Sequence, residues 1–157
     1  MYSKHHAVVS ALVAATLALS LSWWTTAFTH LSVVAVVAVV LYGTALGVFI
    51  DLDHFLIARI KTGNWDAVRF CLANPVAAVA DQGQIFDQGD VGVLSRLLSH
   101  VVLIGLFVPL HFVFNIGLGI IVGVVLYVHL LTDLIWDVHR AEPSTTQATD
   151  DRPQSVR

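Results

Sequence analysis

The sequence predicts an all-α integral membrane protein: a four-helix transmembrane bundle whose cytoplasmic middle loop contains a short amphipathic helix. Three observations support this. The 157 residues are 57% hydrophobic and only 12% charged, with a mean hydropathy of +0.79, whereas a soluble domain averages about 45–50% apolar and about 25% charged. Uncharged runs of membrane-spanning length recur along the chain. Every Lys and Arg falls in a segment that one membrane face can hold. With so little charge the chain cannot cover a water-exposed surface, which argues against a soluble enzyme and against intrinsic disorder. The 8 Lys and Arg against 11 Asp and Glu, net −3, supply no basic field, so no nucleic acid is expected as a partner. The single cysteine, Cys71, rules out an internal disulfide and a Cys-rich zinc site.

The first apolar run, Ala7–Leu21, reaches the lower limit of a spanning helix once Ser22, Trp23 and Trp24 are added. The first span is therefore about 7–24, with the two Trp as interfacial anchors. The rival reading is a cleaved secretory signal with Lys4 as its positive end. It suffers from "SWWTTAFTH", which puts two Trp where a cleavage region needs small residues. The second span, 31–50, reads "LSVVAVVAVVLYGTALGVFI". Its Val content suits a buried strand, but its length does not, and in lipid a continuous span satisfies its own backbone as a helix. Gly43 and Gly47 give it the small-xxx-small spacing of close helix packing, and Asp51 ends the run.

Leu56–Leu94 differs in character. It holds Arg59, Lys61, Asp66, Arg69, Asp81, Asp87 and Asp90, broken by Gly63, Pro75, Gly83 and Gly89. "NWDAVRFCLANP" places Trp65, Val68, Cys71 and Leu72 at helical spacing with Pro75 as a stop. It reads as a short amphipathic helix, on the membrane surface or capping the bundle. "ADQGQIFDQGD" reads as a loop. From Leu97 to Thr132 there is no charged residue apart from titratable His. That run is too long for one span and fits two joined at "FNIGLG", giving spans of about 94–114 and 118–137, with Pro109 expected to kink the third. A single transmembrane domain, 1–140, is followed by a polar tail, 141–157, with the composition of a disordered segment.

Four spans with both termini inside place all eight positive charges on one side, the orientation the positive-inside rule demands. The expected location is the inner or plasma membrane with both termini cytoplasmic, the lipid bilayer being the first partner. The same topology gathers ionisable residues at the cytoplasmic ends of the four helices: His5 and His6; Asp51, Asp53 and His54; Arg96, Ser99 and His100; His129, Asp133 and Asp137. Charge at membrane depth is costly and faces a bundle interior or a cavity. Asp51 and His54 are one helical turn apart, as are His129 and Asp133, and His100 lies one turn after Arg96.

Imidazole and carboxylate together suit a divalent metal ion, zinc first, then manganese or iron. The candidate ligands are His6, Asp51, His54, His100, His129 and Asp133. Asp53 is a candidate base, outer-layer group or ligand, and Arg96 a candidate stabiliser of an oxyanion or phosphate. Each residue also has a plainer reading. His6 suits a membrane interface, Arg96 positive-inside anchoring, and His100 and His129 helix packing. Two Asp at a helix C-terminus oppose its dipole, so helix-end stability does not explain Asp51 and Asp53. Asp137, His139, His30 and His111 read as interface residues, Trp136 as part of an aromatic belt and Cys71 as inert.

The segment "GVFIDLDHF" resembles the "PDxDH" element of the YdjM-like inner-membrane family of metal-dependent hydrolases. "KHHAVVSALVA" is similar to that family's opening, with His6 as the matching histidine. "SRLLSHV" at Ser95–Val101 resembles its "HRxxTHS" element, carrying over Arg96 and His100, and "VHLLTD" at Val128–Asp133 resembles its last-helix "SHLLLD", carrying over His129 and Asp133. The four elements come in the family's order and span most of the chain outside the middle loop and tail. Ile50 stands where the family has Pro, and Ser95 where it has the first His of its pair, which removes one candidate ligand or proton donor. The resemblance implies a membrane-embedded metal-dependent hydrolase of a phosphoester or lipid-like substrate. Two other readings of the residues remain: a proton- or metal-handling protein, and a non-catalytic membrane scaffold with a degenerate site.

Overall fold

The computed structural model describes residues 3–24, 32–76, 82–87 and 89–141; for 22–24 and 141 only the backbone is described. His30, the Trp23 and Trp24 side chains and the tail from 142 onward, all given roles above, lie outside what is described. Among the described residues the secondary structure is entirely helical. Helix α1 is Ser3–Trp24, α2 is Val33–Phe49, α3 is Asp53–Thr62, α4 is Asp66–Ala73, α5 is Val93–Phe114 and α6 is Ile116–Ala141. Four helical stretches are long and apolar enough to cross a membrane: α1, the continuous 33–62 run, α5 and α6.

The starts and stops follow from local chemistry. Ser32 caps α2, its hydroxyl accepting from Ala35 N at 3.2 Å. α5 stops at Asn115, whose side-chain oxygen then accepts from Leu118 N at 3.0 Å and so caps α6. α4 ends before Pro75, as its sequence predicts, and packs back on α3. Gly63, at φ 78°, closes α3 by donating its N–H to Arg59 O at 3.0 Å, a left-handed cap that only glycine adopts without strain.

Asp51 ends the uncharged run, but the helical chain does not stop there. The chain tightens into a 3₁₀ turn over Ile50–Leu52 and continues as α3 to Thr62. The 3₁₀ turn keeps the backbone bonded while changing the angular step between side chains. Asp51 and Asp53 therefore both reach α5, although two residues apart on a regular α-helix would face opposite ways.

α6 is the centre of the bundle. It packs on α1, α2 and α5, and α1 packs on α2. Ile121, Val122, Val125 and Leu126 on α6 are completely buried, against Ala14 of α1 on one side and Ile50 on the other. Helix α1 buries a single stripe one turn apart, His6, Ser10, Ala14 and Ala18. Small side chains there let α2 come close: a Cβ on Gly43 would lie 2.8 Å from Ala14 Cβ, and one on Gly47 2.7 Å from Ser10 Cβ. Large apolar side chains such as Val33, Leu94, Val113 and Phe114 are more than three-quarters exposed on the outer face, an exterior that water would not tolerate in such quantity.

Candidate metal centre

At one end of the bundle, four helical segments bring His6, Asp51, Asp53, His54, Arg96, His100, His129 and Asp133 together. His6, His100, His129 and Asp133 are each 1% exposed. Such polar burial is costly unless every group is paired, so the partners of each atom define what the cluster can hold.

Both central imidazoles are fixed by backbone carbonyls. His129 Nδ1 donates to Gly47 O at 2.8 Å, across the α2–α6 contact. His100 Nδ1 donates to Arg96 O at 2.9 Å and lies 3.1 Å from Asp53 Oδ2. A carbonyl only accepts, so these Nδ1 atoms hold the ring protons, and in the neutral rings both Nε2 atoms present lone pairs. Those two Nε2 atoms face each other at 3.1 Å. Asp51 Oδ1 joins them, 3.2 Å from His100 Nε2 and 3.3 Å from His129 Nε2. Asp133 Oδ2 completes the group at 3.6 Å from His129 Nε2 and 3.9 Å from His100 Nε2.

Four lone-pair donors turned on one point repel unless a cation lies between them. A proton on one ring satisfies one contact; a divalent ion satisfies all four. Bonds of about 2.0–2.1 Å in a tetrahedron set ligand atoms about 3.3–3.4 Å apart, close to the separations among His100, His129 and Asp51. The two nitrogens and two oxygens of Asp51, His100, His129 and Asp133 thus fit a metal ion.

The remaining residues surround these four. His6 Nε2 donates to Asp133 Oδ1 at 3.1 Å, and its ring stacks on His129 with centroids 4.0 Å apart. That bond turns Asp133 Oδ2 toward the two imidazoles, the arrangement by which outer groups orient ligands. Arg96 is ion-paired with Asp137, and its Nε is 3.9 Å from Asp133 Oδ2. Asp53 Oδ2 accepts from Ser99 Oγ at 2.5 Å. His54 Nε2 lies 3.7 Å from Asp51 Oδ1 and 3.6 Å from Asp53 Oδ1, too far for hydrogen bonds. The cluster is partly exposed here, where the His54 and Asp51 side chains are 15% and 14% exposed, and again at the Arg96–Asp137 pair, at 15% and 16%.

Several participants escaped the sequence reading. Asp137, taken as an interface residue, holds Arg96. His111, taken likewise, is buried near the other end of the bundle, where Nδ1 donates to Phe107 O at 2.6 Å and Tyr42 Oη lies 2.5 Å from Nε2. The middle segment also reaches the site. Gln82 bonds Ser3 twice, accepting from its N–H at 2.7 Å and donating to its hydroxyl at 2.8 Å. Phe86 sets its ring edge-on to His54, centroids 6.2 Å apart. Nothing in the spacing of Gln82 or Phe86 announces these contacts. A groove of about 370 Å³ opens beside Asp53, lined otherwise by apolar side chains including Leu46, Phe49, Leu103 and Phe107.

No family model, curated protein or solved structure matches the chain.

Proposed function

We propose that the protein is a membrane-embedded, metal-dependent hydrolase that acts on a phosphoester or lipid-like substrate at the cytoplasmic interface. The observation behind this reading is the pair of Nε2 lone pairs facing each other at 3.1 Å with two carboxylates around them. On this reading Asp51, His100, His129 and Asp133 hold the ion, with zinc favoured by their tetrahedral spacing and manganese or iron as alternatives. His6 and Ser99 position carboxylates from outside. A bound divalent ion supplies an activated water and polarises a substrate oxygen. Asp53 Oδ1 accepts no hydrogen bond among the described residues and takes the proton from the attacking water. Arg96 places a permanent positive charge where an anionic oxygen would arrive. The apolar groove beside Asp53 fits the hydrocarbon part of a lipid-like substrate.

In this reading the chain crosses the membrane four times, with both termini and the 63–92 segment cytoplasmic. The apolar outer face and the one-sided Lys and Arg support that placement.

The test is bound metal, measured by elemental analysis on protein purified in mild detergent, beside Asp51→Ala and His129→Ala. The proposal expects stoichiometric metal in the parent and its loss in both variants while helicity persists. A substrate panel of phosphoesters then follows. Absence of stoichiometric metal after resupply refutes the proposal and leaves a proton relay or a scaffold.

A further inference from the structure

We infer that the centre is built for two ions, with the Asp51 carboxylate shared between them. This rests on the metal reading above and extends it. The first ion, held by Asp51, His100, His129 and Asp133, has four protein donors, which fill a tetrahedral shell, so it takes a water only by expanding to five-coordination. A hydrolytic centre needs an open position. The open position belongs to a second group of ligand atoms on the partly exposed His54 side.

Asp51 Oδ1 is the hub. Beyond His100 and His129, it lies 3.7 Å from His54 Nε2. His54 belongs to a second group of possible ligands, with Asp53 and His100. His100 Nε2 is already turned to the first ion, which leaves Asp51 Oδ1 as the shared donor, and His54 Nε2 is buried without a hydrogen-bond partner among the described residues. So is Asp53 Oδ1, 3.6 Å away, on a side chain only 8% exposed. Buried polar atoms are almost always bonded. Two orphans of metal-ligating type, facing each other beside a third ligand oxygen, mark a place for a cation. The rest of the Asp53 carboxylate is already held in place. Its Oδ2 accepts from Ser99 and lies 3.1 Å from His100 Nδ1, so Oδ1 is the oxygen left over. The His54 and His100 rings stack side by side, centroids 5.4 Å apart and 27° between planes, one ring for each ion.

With Asp51, Asp53 and His54 as its donors, the second site retains free positions on the side where His54 and Asp51 are partly exposed. Asp53 changes role on this account: Oδ1 ligates rather than takes a proton. Paired ions about 3.5–4 Å apart clamp the attacking and leaving oxygens of an in-line displacement, the chemistry a phosphoester substrate needs.

The experiment is a Mn(II) titration of the chelator-stripped, full-length protein in mild detergent. Bound Mn is counted by electron paramagnetic resonance and elemental analysis. The parent should bind two ions per chain, with a spin-coupled signal growing in at the second equivalent. His54→Ala should bind one and show no coupling. His54→Gln, which keeps the volume but offers a poor ligand, should do the same, so a folding defect in the alanine variant cannot imitate the result. A parent that binds one ion, or His54 variants that still bind two, overturns the second site and leaves the single-metal reading standing. A parent that binds none overturns both.

Discussion

Gly47→Ala tests whether helix packing and the metal centre are one mechanical unit. The new Cβ would lie 2.7 Å from Ser10 Cβ and closer still to the Ser10 hydroxyl. Ser10 Cβ is fixed to the α1 backbone and cannot swing away, so α1 must retreat by about 0.7 Å to restore ordinary contact. Overpacking of this kind costs about 1–3 kcal/mol, while Ala gains about 1 kcal/mol over Gly in a helix interior. The net loss should be about 1 kcal/mol. The site should suffer more. His6 sits one turn from Ser10 on α1, and a retreat of that size takes its 3.1 Å bond to Asp133 beyond hydrogen-bond range. Gly47 O, which fixes His129, moves with the same strain. Loss of such outer support costs about 10–100-fold in metal affinity. The assay is thermal unfolding in detergent, together with metal affinity by chelator competition. Gly105→Ala is the control: no atom lies within 4 Å of its new Cβ, so it should stabilise by up to about 1 kcal/mol and leave metal affinity alone. Ser10→Gly combined with Gly47→Ala should recover the affinity. A Gly47→Ala protein as stable as Gly105→Ala, with parental affinity, would refute the coupling.

Three further outcomes are expected. His6→Ala, which removes the bond to Asp133 and the ring stacked on His129, should weaken metal binding about 10–100-fold with helicity retained; parental affinity by chelator competition would reduce His6 to packing. Asn115→Ala, which removes the cap of α6, should lower stability by about 0.5–2 kcal/mol in thermal unfolding without changing metal content. Burial pushes the Cys71 thiol above its ordinary pKa, so less thiolate is present at neutral pH; alkylation followed by mass spectrometry should be slow at pH 7 and rise with pH through and beyond the usual thiol range.

Much of the architecture was legible because lipid-scale hydrophobicity and helix punctuation are local signals. The uncharged runs announced four spanning stretches, and Asn115 and Pro75 end helices where their chemistry says they should. The span limits shift where helices continue into polar sequence. α1 begins at Ser3, before the apolar run, because a helix is held by its backbone and not by its hydropathy. The same reason carries the helical chain past Asp51, which ends only the uncharged run. A polar residue ends a hydropathy run without ending hydrogen bonding, and the real stop is Gly63, whose left-handed conformation terminates the ladder.

The site was legible as residue types gathered at one end, and illegible as chemistry. Sequence supplies imidazoles and carboxylates around a point, but an imidazole is a ligand or a donor according to which nitrogen is free. That choice is made here by two backbone carbonyls, of Gly47 and Arg96. Gly47 read as a packing residue, and it is one. Its missing side chain admits Ser10, and its carbonyl directs the His129 Nδ1 proton away from the centre. Both roles belong to one residue, so the smallness that lets α1 and α2 meet also sets the direction of a lone pair on α6. Spacing arguments act on side chains and miss backbone acceptors, just as they miss Gln82 and Phe86, which arrive from a segment far along the chain. The division between a structural glycine and a functional histidine therefore dissolves at this position: replacing either should be read out in the same metal titration.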